Sequence, residues 1–549
     1  MRHPGLMLGL ALATCVAGAA SPHVFSPRIT AADFVALDRT LASDAFEGRG
    51  PGTPGEDRTV EYIKAQMQRI GLKPGNHGQW FQTVPMVETV ADPATRVTLT
   101  VAGRPRTLAF GDDVVMGTTT GCTEVDIKDS PLLFVGYGVD APEQQWNDYA
   151  GIDVKGKTVV MLVNDPGFHV HDETLFEGRR MTYYGRWTYK YEEAARKGAT
   201  AAIIIHDTPG ASYGWDVVRN SWSGAQYSLP AKDDPAPRLP AQGWITGDQA
   251  AKLFADAGLD LDALRIAANT RGFKAVPMKA ALSVDLKSSI HEKQSRNVVG
   301  VLPGRTHPDE AVLYMAHWDH LGKHAGEPGD NIYNGAVDNA SGVAAILETA
   351  GRFAARQPRP ARSVVFLAVT LEESGLLGSQ YYAAHPVLPL ARTVGVINYD
   401  ALAPIGKARD LTVVGLGSSG LEDVLVRHAR AAGLTVHGEA RPEAGSYFRS
   451  DHFSFAKAGV PAMDIGTGMD LVDGGTTAGE AAERDYTTNR YHKPADEYDA
   501  KTWKLEGILQ LLDAGYALGA DLADGHAWPQ WRPGNPFRAA RERMMQSTH

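Results

Sequence analysis

The chain has 549 residues, which exceeds one ordinary core at roughly 100–200 residues per domain. Hydrophobic residues at 43% and charged residues at 21% exclude wholesale disorder. A net charge of -10 with no basic stripe excludes a surface that tracks nucleic-acid phosphates, so the expected partners are small or peptidic.

Residues 1–20 read as an export signal: Arg2 and His3 precede an apolar run over 5–18, and Ala17-Gly18-Ala19 offers a cleavage site. The run is too short and Gly-rich for a membrane span. Leu12-Ala13-Thr14-Cys15 resembles a lipobox, but Thr14 fits it poorly, so a lipid anchor at Cys15 is the minor alternative. The expected location is periplasmic or secreted. Either processing route leaves Cys122 without a partner, so no intramolecular disulfide is expected and stability has to come from burial and metal.

Residues 31–41 carry a helical pattern, FEGRGPGTPGEDR (46–58) is a Gly/Pro-rich loop, and residues 59–70 read as an amphipathic helix stopped by Gly71. Alternating runs between about 96 and 135, such as RVTLTV, read as strands joined by tight turns. Residues 129–276 have their own strand, helix and strand (TVVMLV, KYEEAARKGA, AAIII) and then a Trp/Pro-rich stretch, and read as a small inserted β-rich domain. The partition is then signal 1–20, first part of the main domain 21–128, insert 129–276, main domain 277–525 and C-terminal tail 526–549.

From Arg296 onward the candidates NVVGVL, AVLYMA, SVVFLAV, TVGVINY and LTVVGL alternate with helices. The strongest helix covers 341–356, where Val343, Ile346, Leu347, Ala350 and Phe353 share one face. This rhythm predicts an α/β fold with a mainly parallel central sheet flanked by helices. Ligands of such sheets gather beyond the carboxyl ends of the strands.

That edge receives His317, Asp319 and His320 after one strand, Glu372 and Glu373 after a second and Asp400 after a third. Asp338 stands before the long helix, and His492 lies in the loop YHKPADEYD. Buried charges are costly unless paired or metal-bound, so this convergence points to a metal site. Imidazole and carboxylate donors without thiolates suit Zn2+ in an open site. Two ions ~3.5–4 Å apart need a bridging carboxylate and acidify a shared water, and Asp338 can be that bridge. In His317-x-Asp319 the strand period puts both side chains on one face, so Asp319 can orient the His317 ring. Of the adjacent Glu372 and Glu373, one can bind metal while the other stays free as a general base.

The segments AHWDHLG, GAVDNASG, LEESGLLGS, INYDAL, SDHFSFAKAGVPA and YHKPADE, in this order, resemble the M28 metallopeptidases, the family of dinuclear zinc aminopeptidases. The resemblance extends over about residues 31–126 and 285–520, and the insert is similar to a protease-associated (PA) domain. It implies two Zn2+ per chain, one held by His317 and Asp400 and one by Glu373 and His492, with Asp338 bridging. It further implies Glu372 as general base, Asp319 as the partner of His317, and Tyr447 as the group that polarises the substrate carbonyl. The implied activity is removal of N-terminal residues from peptides by a metal-activated hydroxide. His320 and His324 read as loop residues, and the resemblance places Asp451 and His452 in support of the pocket wall.

Other readings compete. A glutamate-carboxypeptidase-like enzyme needs clustered arginines, and only Arg449 stands near the motifs. G-x-G-x-x-G at 415–420, followed by Glu439, is a dinucleotide fingerprint that would suit an NAD-dependent oxidoreductase, though late in the sheet order. G-x-S-x-G at 210–214 matches a nucleophile elbow, but Pro209 interrupts its approach. His169 and His171 near Asp165 and Asp172 read as a solvated loop cluster. A non-catalytic binding ectodomain is opposed by the complete set of ligand types.

Overall fold

The computed structural model describes residues 23–546 apart from Ala325, Glu327 and Pro328. The export expectation at 1–20, Cys15 included, lies outside the described residues. Two sheets share one long strand, Val276–Leu302. Its first half pairs antiparallel with Arg96–Val101 and Glu124–Phe134, and its second half with Phe81–Ala91 and Arg362–Val369.

In the first sheet Arg362–Val369, His307–His317, Thr393–Asn398 and Ala462–Thr467 lie side by side in parallel. Asp410–Val414 then runs antiparallel to Ala462–Thr467. Every residue of Arg362–Val369 and Thr393–Asn398 is buried, because both faces are covered. Alternate residues go to opposite cores. Val312, Tyr314 and Ala316 pack with Val343, Ile346 and Leu347 of the helix Ser341–Ala355, whereas Leu313 and Met315 pack with Phe455 and Trp531. The expected α/β fold with a mainly parallel sheet is what forms.

The second sheet has Glu124–Phe134, Thr158–Leu162, Ala201–Ile205 and Ala241–Ile245 in parallel, with Val114–Gly117 added antiparallel. It therefore draws strands from both sides of the expected 129–276 span, and its centre is parallel with helices. An alternating pattern identifies a strand but not its partner, so the runs after residue 96 could not be assigned to a sheet from sequence. The insert docks through Tyr183, whose ring lies 5.5 Å from Phe453 and 5.6 Å from Phe537.

The region taken as a tail is also part of the packing. Trp531 is buried, and Arg541 in the helix Arg538–Gln546 donates to the carbonyls of Leu390 and Thr393. Among the described residues no helix is long and apolar enough to cross a membrane.

Candidate active site

His317 is the last residue of its strand, and Glu372, Glu373 and Asp400 follow just after the ends of the two neighbouring parallel strands. The parallel register thus delivers all four to one edge. Asp338 lies in Ala336–Ala340, immediately before Ser341–Ala355, and His492 follows the helix Gly475–Asn489.

The Asp338 carboxylate faces two ways. Oδ1 is 3.3 Å from His317 Nε2, and Oδ2 is 3.3 Å from His492 Nε2. His317 Nε2 is also 3.2 Å from Asp400 Oδ1, and His492 Nε2 is 3.1 Å from Glu373 Oε2. Two ligand atoms each at ~2.0–2.1 Å from a tetrahedral zinc lie about 3.3 Å apart, so these separations suit atoms that share an ion. His492 Nε2 is buried and has no partner in hydrogen-bonding geometry although two carboxylates flank it. Its donor set and its aim both fit a metal.

His320, read as a loop residue, belongs to this centre. It is buried, its Nδ1 is 2.6 Å from Glu373 Oε1, and it forms with Asp338 and Glu373 a second group able to hold an ion beside that of His317, Asp338 and Asp400. Its sequence signal, an imidazole three residues after His317, was present, but the turn that brings it inward was not readable.

The charge distribution calls for cations. Burial alone would lower the His492 pKa, yet Asp338 and Glu373 raise it to about 10. His317 likewise goes well above the imidazole range despite burial, driven by Asp400, Glu372 and Asp338. Burial holds the Glu372 carboxyl well above its usual range, with Asp400 and Glu373 adding and His317 opposing. The residue as a whole is half-buried, and among the described residues its carboxyl has no hydrogen bond or ion pair.

Surrounding groups position the loops. Asp496 accepts the amides of Val337 and Asp338 at 3.0 Å each and the Tyr486 hydroxyl at 3.1 Å. Asn339 ties two ligand loops by donating to Tyr399 O and accepting from Ala401 N. Gly335 has φ 53°, and a Cβ there would lie 2.2 Å from Asp338 O. Leu371, Ala401 and His492 adopt φ of 58°, 50° and 54°, left-handed conformations that cost about 1–3 kcal/mol each in non-glycine residues and flank the ligands.

Two expected roles come out differently. The Asp319 carboxylate is 3.8 Å from the His317 ring, too far to orient it, and instead accepts the amides of Glu372 and Glu373 at 3.2 and 3.4 Å. The ring Nδ1 meets the Asp319 backbone oxygen at 3.1 Å, so Asp319 still orients His317, through its carbonyl. Tyr447 is not brought to the cluster: its hydroxyl donates to Ala462 O at 3.0 Å, and its ring packs on Phe448 and His452.

Tyr491 stands at the site instead. Its ring stacks on His492 at 3.9 Å and remains 43% exposed. Burial, then Asp338, Glu373, Glu372 and Asp400, push the phenol pKa up, which keeps it a donor next to four carboxylates. Adjacent side chains usually diverge, so nothing in the YH pair announced this fold-back. Asp451 and His452, expected to support the pocket wall, are fully buried.

The three competing motifs do not build sites of their own. In the 415–420 loop the amides of Gly417, Ser418 and Ser419 all donate to Glu422, which occupies the place of a dinucleotide phosphate. Ser212 follows a helical turn rather than a strand. His169 is engaged by Asp207 and Tyr137, and among the described residues no metal-type group occurs in the insert.

Residues 297–514 match the sequence model of peptidase family M28. A probable lipoprotein aminopeptidase, LpqL, of Mycobacterium tuberculosis is 28% identical over 42% of this chain and 46% of its own length. Leupeptin-inactivating enzyme 1 of Streptomyces exfoliatus is 33% identical over 30% of this chain and 38% of its own. The chain thus spans less than half the length of these curated relatives. The solved aminopeptidase of Aneurinibacillus sp. strain AM-1 superposes with a TM-score of 0.49 at 20% identity, covering 91% of this chain and 96% of that one.

Proposed function

We propose that this chain, whose residues 297–514 are of the M28 zinc-peptidase type, is an exported exopeptidase that removes N-terminal residues from peptides. The observation that carries the reading is Asp338, whose two oxygens face separate imidazoles while Glu372 is left unpartnered. His317, Asp400 and Asp338 would hold one zinc, and Glu373, His492 and Asp338 the other, with His320 beside Glu373. Two such ions, when bound, supply Lewis-acid polarisation of the scissile carbonyl and acidify water.

Glu372, whose carboxyl has no partner, takes the proton of the attacking water and passes it to the leaving amine. Tyr491 donates a hydrogen bond to the developing oxyanion. With Asp338, Glu373 and Asp400 assigned to the ions, Glu372 is the one carboxylate left to favour a free α-amine over the interior of a peptide. Export to the periplasm or medium rests on the 1–20 pattern.

The test compares wild type with Glu372→Gln on amino-acid anilides and N-acetylated peptides, with zinc measured on both. The variant should keep two zincs and lose about 10²–10⁴-fold in kcat. Undiminished turnover by the zinc-loaded variant overturns the mechanism, and wild-type preference for acetylated substrates overturns the aminopeptidase reading.

A further inference from the structure

The proposed chemistry leaves His320 without a task, although its ring is buried inside the cluster. With Asp338 and Glu373 it forms a group able to hold an ion, which admits it either as a ligand or as the partner of one. The distances choose between the two.

The other two imidazoles share a pattern. His317 Nε2 lies 3.3 Å from Asp338 Oδ1 and 3.2 Å from Asp400 Oδ1, and His492 Nε2 lies 3.3 Å from Asp338 Oδ2 and 3.1 Å from Glu373 Oε2. Each therefore faces two carboxylate oxygens near the separation of about 3.3 Å that two donors to one tetrahedral zinc require. His320 breaks the pattern. Its Nδ1 is 2.6 Å from Glu373 Oε1, and among the described residues no other carboxylate lies within ion-pair distance of the ring. That separation is a short hydrogen bond, well inside the spacing of two donors to one ion.

An ionised carboxylate only accepts, so the ring is the donor. Nε2 is buried without a partner, which leaves the Nδ1 bond as the polar tie that fixes the side chain. Packing sets the rest: a Cβ on Gly335 would come within 2.6 Å of His320 Cγ and Cδ2, so only glycine lets the ring lie there.

We infer that His320 is a positioning residue for Glu373: its Nδ1–H holds Oε1, so that Oε2 alone is aimed at the ion shared with His492 and Asp338. The inference rests on the two-zinc reading of the cluster and deepens it. Outer hydrogen bonds of this kind orient metal-binding side chains and tune their affinity. A Glu373 that offers one oxygen leaves that ion three protein donors, and catalytic zinc keeps its fourth position for water or substrate.

The test measures zinc stoichiometry, and zinc affinity by chelator competition, on wild type, His320→Asn, His320→Gln and His320→Leu. The Asn amide N–H takes the place of Nδ1–H, and the Gln amide that of Nε2. His320→Leu and His320→Gln should still bind two zincs at saturation with one affinity lowered about 10–100-fold, whereas His320→Asn should stay within about threefold of wild type. The visible spectrum of the cobalt-substituted protein should be the same for His320→Asn and wild type. Affinities are taken per folded molecule, with the folded fraction read by circular dichroism. The comparison of Asn with Gln, two amides of similar polarity, decides even where Leu does not fold.

Rescue by Gln instead of Asn, an Asn variant as weak as Gln, a saturated variant that holds one ion, or undiminished affinity in His320→Leu overturns the role. No substrate enters the measurement. A wild type that holds two zincs and turns over no peptide therefore removes the aminopeptidase reading while the affinities still decide His320, and a wild type that binds no zinc overturns both.

Discussion

Tyr447 was expected to polarise the substrate carbonyl, and the proposed mechanism gives that role to Tyr491. Tyr447 has one hydroxyl proton, and the Ala462 carbonyl takes it inside an apolar cluster. Tyr491 stacks its ring on His492, and its hydroxyl has no such carbonyl partner among the described residues. Tyr491→Phe should lower kcat by about 10²-fold with zinc content unchanged, as expected for the loss of one oxyanion donor. Tyr447→Phe should leave kcat within about twofold and cost about 1 kcal/mol of stability, as for one buried hydrogen bond. Steady-state kinetics, zinc analysis and denaturant melts on both variants check this, and equal kinetic effects would reject the division.

Between the secondary-structure elements, single buried charges hold the ligand loops. Arg49, in the loop after the first helix, is fully buried and donates to the carbonyls of Leu41, Trp318, Asn334 and Gly335. It joins the segment that follows His317 to the one that precedes Asp338. Arg49→Leu leaves those carbonyls unsatisfied and should destabilise the fold by about 3–5 kcal/mol and lower zinc occupancy, measured by urea melts and metal analysis. Glu348, in Ser341–Ala355, accepts Thr30 N at 3.0 Å, and burial raises its carboxyl to about 8. The folded pKa lies above the unfolded value of ~4.3, so its contribution is full below about pH 4 and is lost as pH rises toward 8. Glu348→Gln copies the protonated form. It should be more stable than wild type by on the order of 2 kcal/mol at pH 8, with the difference vanishing near pH 4 in denaturant melts.

Across the whole molecule, the shared strand Val276–Leu302 makes the two sheets one structure, and the ligand cluster lies in only one of them. Each ion bound only by the folded state adds about 2.7 kcal/mol when free zinc is 100-fold above its dissociation constant. Chelation should therefore lower the melting temperature and zinc readdition should restore it, as read by calorimetry. A melting temperature indifferent to chelator would show that the four site carboxylates are neutralised another way. Among the described residues the insert contributes no metal-type group.

The sequence by itself determined the parallel sheet and the residues that reach its edge. Strand and helix periods are local, and His317, Glu372, Glu373 and Asp400 sit at strand ends whatever the strand order. Asp338 was legible for the same reason, as a carboxylate at a helix entrance. Only the tertiary structure decided what depends on loops crossing between elements: His320 turned inward, Tyr491 folded over His492 and the Asp319 carboxylate spent on two amides. The limits of the second sheet belong to that class too. Strand pairing and side-chain convergence join residues tens to hundreds of positions apart, and their geometry is set by packing that no local pattern encodes.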